Sequence, residues 1–158
     1  MAILAGDALL SLAFEVVAKG IEPPTVAAAC CAALAEAAGP CRLVGGQVDD
    51  IEGQGGGPTD LASLESLHDR KTGAMIRVSL QLGAMTASAS SEQLVALDTY
   101  GQRLGRAFQV TDDLLDVRSS QALMGKRVAK DAEKGKITFP GLIGVDESAT
   151  YAAELILQ

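Results

Sequence analysis

The chain has 158 residues, enough for one domain with a sizeable core, and its 48% hydrophobic content includes only five aromatic residues. This composition favours closely packed helices over a β-sandwich. The formal charge is 13 − 20 = −7 and there is no basic block, so nucleic acid is excluded as an expected partner.

Apolar periodicity and helix-breaking residues predict an all-α chain without strands. Glycines at 55–57 are interpreted as part of a flexible connector, and residues 125–136 as a loop rich in lysine and glycine. Ser90 or Ser91 is the expected N-cap of the fourth helix, and Thr138–Val145 is a short apolar piece. The five predicted helical segments are about Ile3–Ala18, Thr25–Ala38 with a continuation at Cys41–Glu52, Leu61–Ala87, Ser91–Arg118, and a last helix from near Glu147.

The cysteines and the apolar segments indicate the compartment. Cys30, Cys31 and Cys41 form no C-x-x-C pair and only one histidine accompanies them, which favours buried thiols in a reducing cytoplasm. The stretch Val26–Ala38 is too short to cross a bilayer, so no membrane span is predicted. The apolar start of the chain contains two acids and lacks a basic region, so it is not expected to be a signal peptide.

An acidic motif, F-Q-V-T-D-D-L-L-D at 108–116, interrupts an apolar helical pattern. Asp112 and Asp116 are one helical turn apart on one face, with Gln109 one turn before Asp112. Carboxylates on a face expected to be buried must be compensated. Mg²⁺ is a suitable partner, because it takes one or two carboxylates, several waters and substrate phosphates. The alternative is an N-cap with a solvated acidic face.

Two further segments could bind an anion. In H-D-R-K-T-G at 68–73, Lys71 and Thr72 offer an ammonium and a hydroxyl side by side. In the loop at 125–136, lysines that include Lys126 and Lys136 adjoin glycines and suit a polyanion. Taken alone, the first segment is better explained as ordinary surface charge, and the second fits a solvated basic loop equally well. The combination with the acidic motif is more specific.

Five motifs occur in order along nearly the whole chain: L-A-G-D-A-L-L at 4–10, V-G-G-Q at 44–47 with Asp50, the segment 68–73, the acidic motif, and the loop glycines and lysines with Asp131. In this set the chain resembles the trans-isoprenyl diphosphate synthases, the polyprenyl synthetase family of farnesyl and geranylgeranyl diphosphate synthases. The resemblance implies part of the isoprenoid synthase helical bundle, with residues 1–158 as a partial polyprenyl synthetase domain.

The resemblance also implies roles for individual residues. Asp112 and Asp116, with Asp113 beside them, would hold Mg²⁺ that bridges to an allylic diphosphate. The implied reaction is head-to-tail transfer of the allylic group to isopentenyl diphosphate, in which metal and lysines stabilise the departing pyrophosphate. The implied diphosphate-binding residues are Lys71, Thr72 and Gln109, which are also the catalytic candidates, together with Lys126, Lys136, Gln47 and Asp50.

The chain departs from the family pattern in one major respect. In the family a first aspartate-rich motif, D-D-x-x-D, lies upstream of the segment that 1–10 resembles, and that first motif is absent here. The D-D-L-L-D at 112–116 matches the second motif, and Asp49 and Asp50 belong to the G-Q-x-x-D segment. We therefore expect an internal segment of a longer synthase, truncated at both ends, with little or no turnover on its own. The family is usually homodimeric, and Ile3–Ala18 and Thr25–Ala38 are expected to contribute to such an interface.

Three alternatives are considered, and the ordered set of motifs argues against one of them, a plain structural helical domain. A terpene cyclase of the same architecture would carry an N/D-x-x-S/T-x-x-x-E motif where this chain has its acidic motif. A non-catalytic partner subunit of another prenyl synthase would explain the missing first motif. Farnesyl or geranylgeranyl diphosphate is the expected product from overall resemblance only.

Overall fold

The fold is all-α, as predicted, throughout the part of the chain that the structure describes. The computed structural model describes residues 1–53, 60–123 and 137–157, with side chains through 119 and again from 137. No strand occurs in these ranges. The elements are α1 Ala2–Gly20, α2 Pro24–Ala38, α3 Leu43–Glu52, α4 Leu61–His68, a π-helical turn Asp69–Gly73, α5 Ala74–Thr86, α6 Ser91–Leu123, α7 Phe139–Ile143 and α8 Val145–Leu157.

Local capping chemistry explains several helix starts. The Asp60 carboxylate accepts a hydrogen bond from the Ser63 backbone N–H at 2.8 Å. Ser90, one of the two expected caps, pairs with Gln93: the Ser90 N–H donates to the Gln93 side chain at 2.8 Å and Ser90 Oγ accepts from the Gln93 N–H at 3.3 Å. Thr138 likewise accepts from Gly141 N at 3.2 Å and begins α7. Each side chain satisfies a backbone group that has no partner inside the helix.

The main departure from the predicted elements lies in the third helix. Residues 61–86 are helical throughout, as predicted, but a π-helical turn at Asp69–Gly73 interrupts the α-helical hydrogen-bond pattern between α4 and α5. A π-helical turn accommodates one extra residue and is often found at functional sites. Among the other boundaries, the predicted helix from Cys41 begins at Leu43, and α6 extends beyond Arg118 to Leu123.

Two apolar clusters form the core, and α6 contributes residues to the first of them. On one side, α6, α4, α7 and α8 enclose a cluster of Leu64, Val110, Leu114, Phe139 and Ala152. On the other side, α5 packs against both α6 and α2, and a second cluster joins Leu34, Ala37, Ala74 and Val78. The π-helical turn lies between these clusters and contacts both α3 and α6.

Helix α1 is exposed along its length. None of its residues is buried, and its apolar side chains Ile3, Leu4 and Leu9 are 81%, 66% and 66% exposed. Phe14 and Val17 pack against the second cluster and provide its attachment to the bundle. An exposed apolar surface of this kind is typical of a region that contacts another part of a protein or another chain.

One helical stretch among the described residues, Pro24–Glu52, is long and apolar enough by length and composition to cross a membrane. Core helices of globular proteins meet the same criteria, and Ala27, Cys30, Leu34 and Ala37 of this stretch are buried. The absence of a membrane span therefore stays a prediction from the sequence.

Candidate functional site

The π-helical turn presents Lys71 and Thr72 between two close backbone contacts. A Cβ atom on Gly46 of α3 would lie 2.6 Å from the Lys71 backbone nitrogen, and one on Gly105 of α6 would lie 3.0 Å from Gly73 Cα. Such distances leave no room for a side chain at Gly46 and very little at Gly105. The two glycines thus allow α3 and α6 to hold the turn from both sides.

Two ion pairs connect the turn to α3. Lys71 Nζ lies 2.5 Å from Asp50 Oδ2, and Arg70 Nη2 lies 2.5 Å from Asp49 Oδ2. The Lys71 and Asp50 side chains are 23% and 14% exposed, so water screens their attraction only in part. The structure thus brings together two of the predicted diphosphate-binding residues, Lys71 and Asp50. Gln47, on the same helix, is exposed.

A charged network connects the turn to α6. Arg106 donates to Asp69 through Nε at 3.0 Å and Nη2 at 2.8 Å, and its Nη1 lies 2.9 Å from Glu65 Oε2. Gln102 Nε2 donates to Asp69 at 2.9 Å, and the Tyr151 hydroxyl of α8 donates to Glu65. The hydrogen bonds to Asp69, with the negative charges of Asp69 and Glu65, raise the pKa of Arg106. Burial and the hydrogen bond to Glu65 raise the pKa of Tyr151 to about 12.

The sequence analysis missed this network. Glu65 and Asp69 are four residues apart on one chain segment, and so are Gln102 and Arg106 on another. That spacing places each pair on one helical face. The sequence does not show that the two faces meet, which depends on how α4 and the turn pack against α6.

On α6, Asp112 and Asp116 are exposed, whereas Gln109 is 7% exposed. The prediction that this acidic face is buried is therefore wrong for the part of the chain that the structure describes. Leu104, Phe108 and Leu115, on the same side of α6, are 40%, 56% and 54% exposed as well. The carboxylates consequently avoid the desolvation that the buried interpretation required.

Asp113 occupies a different environment from its neighbours. It is 4% exposed, and its Oδ2 accepts a hydrogen bond from the Phe139 backbone N–H at 2.9 Å. Successive helical residues are rotated by about 100°, which places Asp113 toward α7 rather than on the face of Asp112 and Asp116. Its carboxylate serves the start of α7 in this structure, and the grouping of Asp113 with the metal ligands stays a prediction.

The contact between the turn and α6 lies N-terminal to the acidic motif on the same helix. Gly105, which touches Gly73, precedes Gln109 by about 6 Å and Asp112 by about 10 Å along the α6 axis at 1.5 Å per residue. Among the residues that the structure describes, no group of three or more His, Cys, Asp or Glu could hold a metal ion unaided.

The remaining predictions concern the basic loop, the glycine connector and the cysteines. Lys126 and Lys136, the loop at 125–136 and the glycine connector at 55–57 lie outside the described residues. Cys30 is buried, and burial raises the pKa of its thiol. The expectation of buried thiols is wrong for Cys41, which is exposed because it lies in the turn between α2 and α3.

Comparison with known proteins accounts for this arrangement. The sequence profile of the family described as Polyprenyl synthetase matches residues 1–158. The chain belongs to the polyprenyl synthetase family. It is 42% identical over 160 residues to a geranylgeranyl pyrophosphate synthase from Arabidopsis thaliana, with 98% of this chain and 44% of that protein covered.

Solved structures of this kind have the same fold. An FPP/GFPP synthase from Zymomonas mobilis superposes with a TM-score of 0.82 at 32% identity, covering 99% of this chain and 51% of that one. A geranyltransferase from Helicobacter pylori, solved with magnesium and isoprenyl diphosphate, gives 0.81 at 29%, covering 98% and 50%. The chain thus spans about half the length of the proteins that it matches.

Proposed function

We propose that the protein is a prenyltransferase that condenses an allylic diphosphate with isopentenyl diphosphate, head to tail, to make farnesyl or geranylgeranyl diphosphate. The observation that supports this proposal is that the turn carrying Lys71 and Thr72 contacts α6 at Gly105, on the helix that also carries Gln109 and the exposed Asp112 and Asp116. The family membership and the printed activities of the relatives support it.

The donor set of α6 fits Mg²⁺. Asp112 and Asp116 are one turn apart and exposed, and their side chains form no hydrogen bond or ion pair with other described residues. Mg²⁺ commonly uses one or two carboxylates and completes its shell with waters and phosphate oxygens. When bound, the ion would neutralise negative charge on the departing diphosphate.

The residues of the turn would bind the diphosphate directly. Lys71 is paired with Asp50 here and would direct one of its three donors to a phosphate oxygen. Thr72 and Gln109 would add hydroxyl and amide donors, and Lys126 and Lys136 further positive charge. Donors fixed in this way stabilise the charge that develops as the allylic C–O bond breaks.

The chain is expected to turn over slowly or not at all on its own. It contains one aspartate-rich motif of the two expected in the family, and its exposed α6 face leaves a reacting cation open to water. We further propose that it acts as a homodimer through α1 and α2. None of the three cysteines forms a disulfide, which is consistent with a cytoplasmic protein.

Calorimetry with pyrophosphate and MgCl₂ tests the binding part of this proposal. The chain should bind pyrophosphate weakly and only with Mg²⁺, and Lys71→Ala and Asp112→Ala should each abolish the signal. Arg118→Ala, an exposed change on the same helix, serves as the control and should bind like the unaltered chain. Equal binding by all four proteins would contradict the assigned roles.

A turnover assay separates the enzyme from a partner subunit. Radiolabelled isopentenyl diphosphate and an allylic diphosphate are supplied to the chain alone, to an intact synthase alone and to their mixture. A rate in the mixture above that of the intact synthase would favour the partner-subunit alternative. Prenyl products from a protein that also contains the missing first motif, lost on Lys71→Ala, would support the prenyltransferase.

A further inference from the structure

The Glu65–Arg106–Asp69 network connects the π-helical turn to α4 and α6. Asp69 is the first residue of the turn, and Lys71 and Thr72 follow two and three residues later. Three hydrogen bonds attach its carboxylate to α6, two from Arg106 and one from Gln102. The side chain at the start of the turn is thereby fixed to the helix that carries Asp112 and Asp116.

The geometry of the network is suited to fixing a position. Arg106 meets Asp69 in a bidentate pair, which sets direction as well as distance. The side chains of Glu65, Asp69 and Arg106 are only 18%, 16% and 24% exposed, so their interactions are weakly screened. Tyr151 of α8 donates to Glu65 and attaches a third helix to the same group.

The charges also make the network sensitive to loss of one member. Arg106 is the cation between two largely buried carboxylates, Glu65 and Asp69. Removing it would leave two negative charges close together in a poorly hydrated place, which favours their separation. Since Asp69 belongs to the turn, its movement would change where Lys71 and Thr72 lie.

We propose that Asp69 and Arg106 are positioning residues that set the register of the π-helical turn and so the placement of Lys71 and Thr72 toward the diphosphate. This inference rests on the proposed function for its effect on ligand binding. The placement of the turn itself does not depend on that function, so it can be measured without a ligand.

The chain contains a second Arg–Asp–Gln group, which serves as a control for the group formed by Arg106, Asp69 and Gln102. Arg77 meets Asp98 in a bidentate pair at 2.8 and 2.5 Å, and Gln81 adds a hydrogen bond at 2.8 Å. This second Arg–Asp–Gln group joins α5 to α6, as the first joins the turn to α6, but the backbone beside it is regular α-helix. Its loss should affect stability in a similar way without moving Lys71.

The test compares Asp69→Asn with Asp98→Asn in the whole chain. Amide hydrogen exchange, read by NMR without ligand, should accelerate at residues 70–73 in Asp69→Asn and stay unchanged there in Asp98→Asn. Pyrophosphate affinity with Mg²⁺ should fall about ten- to one-hundredfold in Asp69→Asn, the range typical of residues that orient a binding group. Arg106→Lys, which keeps the charge but loses the bidentate pair, should give an intermediate loss.

Each outcome decides the proposal. Unchanged exchange at residues 70–73 in Asp69→Asn, or equal acceleration there in Asp98→Asn, would overturn it whatever the ligand does. Faster exchange together with unchanged pyrophosphate affinity would also overturn it, provided that Lys71→Ala abolishes binding. If Lys71→Ala binds pyrophosphate normally, the proposed function fails, and the exchange result alone decides whether Asp69 fixes the turn.

Discussion

At the scale of single residues, neighbouring aspartates of one motif have different environments and different expected effects. Asp113→Ala would leave the buried Phe139 N–H without its acceptor, which should lower the free energy of unfolding by about 1–3 kcal/mol. Asp112→Ala, at an exposed position, should change it by less than about 0.5 kcal/mol. Urea denaturation followed by circular dichroism measures both. Equal stability of the two variants would contradict the capping role of Asp113.

Tyr151 provides a second residue-scale prediction. Its pKa is raised to about 12 by burial and by the hydrogen bond to Glu65. The folded pKa exceeds the usual value of about 10. The stability that the fold gains from keeping the Tyr151 hydroxyl protonated is therefore fully present below pH 10 and is lost as the pH rises through 12. In Tyr100→Phe, which leaves Tyr151 as the only tyrosine, tyrosinate absorbance at 295 nm should show a midpoint near 12. A midpoint near 10 with the fold intact would contradict the contact with Glu65.

At the scale of elements, regular helices were predictable and the interruption was not. Apolar spacing and caps such as Ser90 determine where most helices lie, because these signals act within a few residues. The π-helical turn depends on contacts distant in sequence: Gly46 against Lys71, Gly105 against Gly73, and Arg106 on Asp69. For the same reason the motif residues were identified from the sequence, whereas the network behind them was visible only in the fold.

The close contact at Gly46 gives an element-scale prediction. An added Cβ would lie 2.6 Å from Lys71 N and 2.8 Å from its Cα, so backbone must move. Gly46→Ala should therefore destabilise the chain by about 1–3 kcal/mol, as overpacking typically does, and should weaken pyrophosphate binding. Gly83→Ala on α5, with nothing within 4 Å, should stabilise it by about 0.5–1 kcal/mol. A neutral Gly46→Ala would show that α3 does not hold the turn.

At the scale of the whole molecule, the exposed apolar residues predict association. Helix α1 presents Leu9 and Val16 to solvent at 66% and 60% exposure, more apolar surface than a stable monomer usually leaves uncovered. We expect a dimer in sedimentation equilibrium, and Leu9→Glu with Val16→Glu should shift it to monomer because a charge buried between helices is costly. Val95→Glu, at a 67% exposed position on α6, is the matched control and should stay dimeric. If the unaltered chain is a monomer, the proposed interface is contradicted. If only Val95→Glu abolishes the dimer, the interface lies on α6 instead.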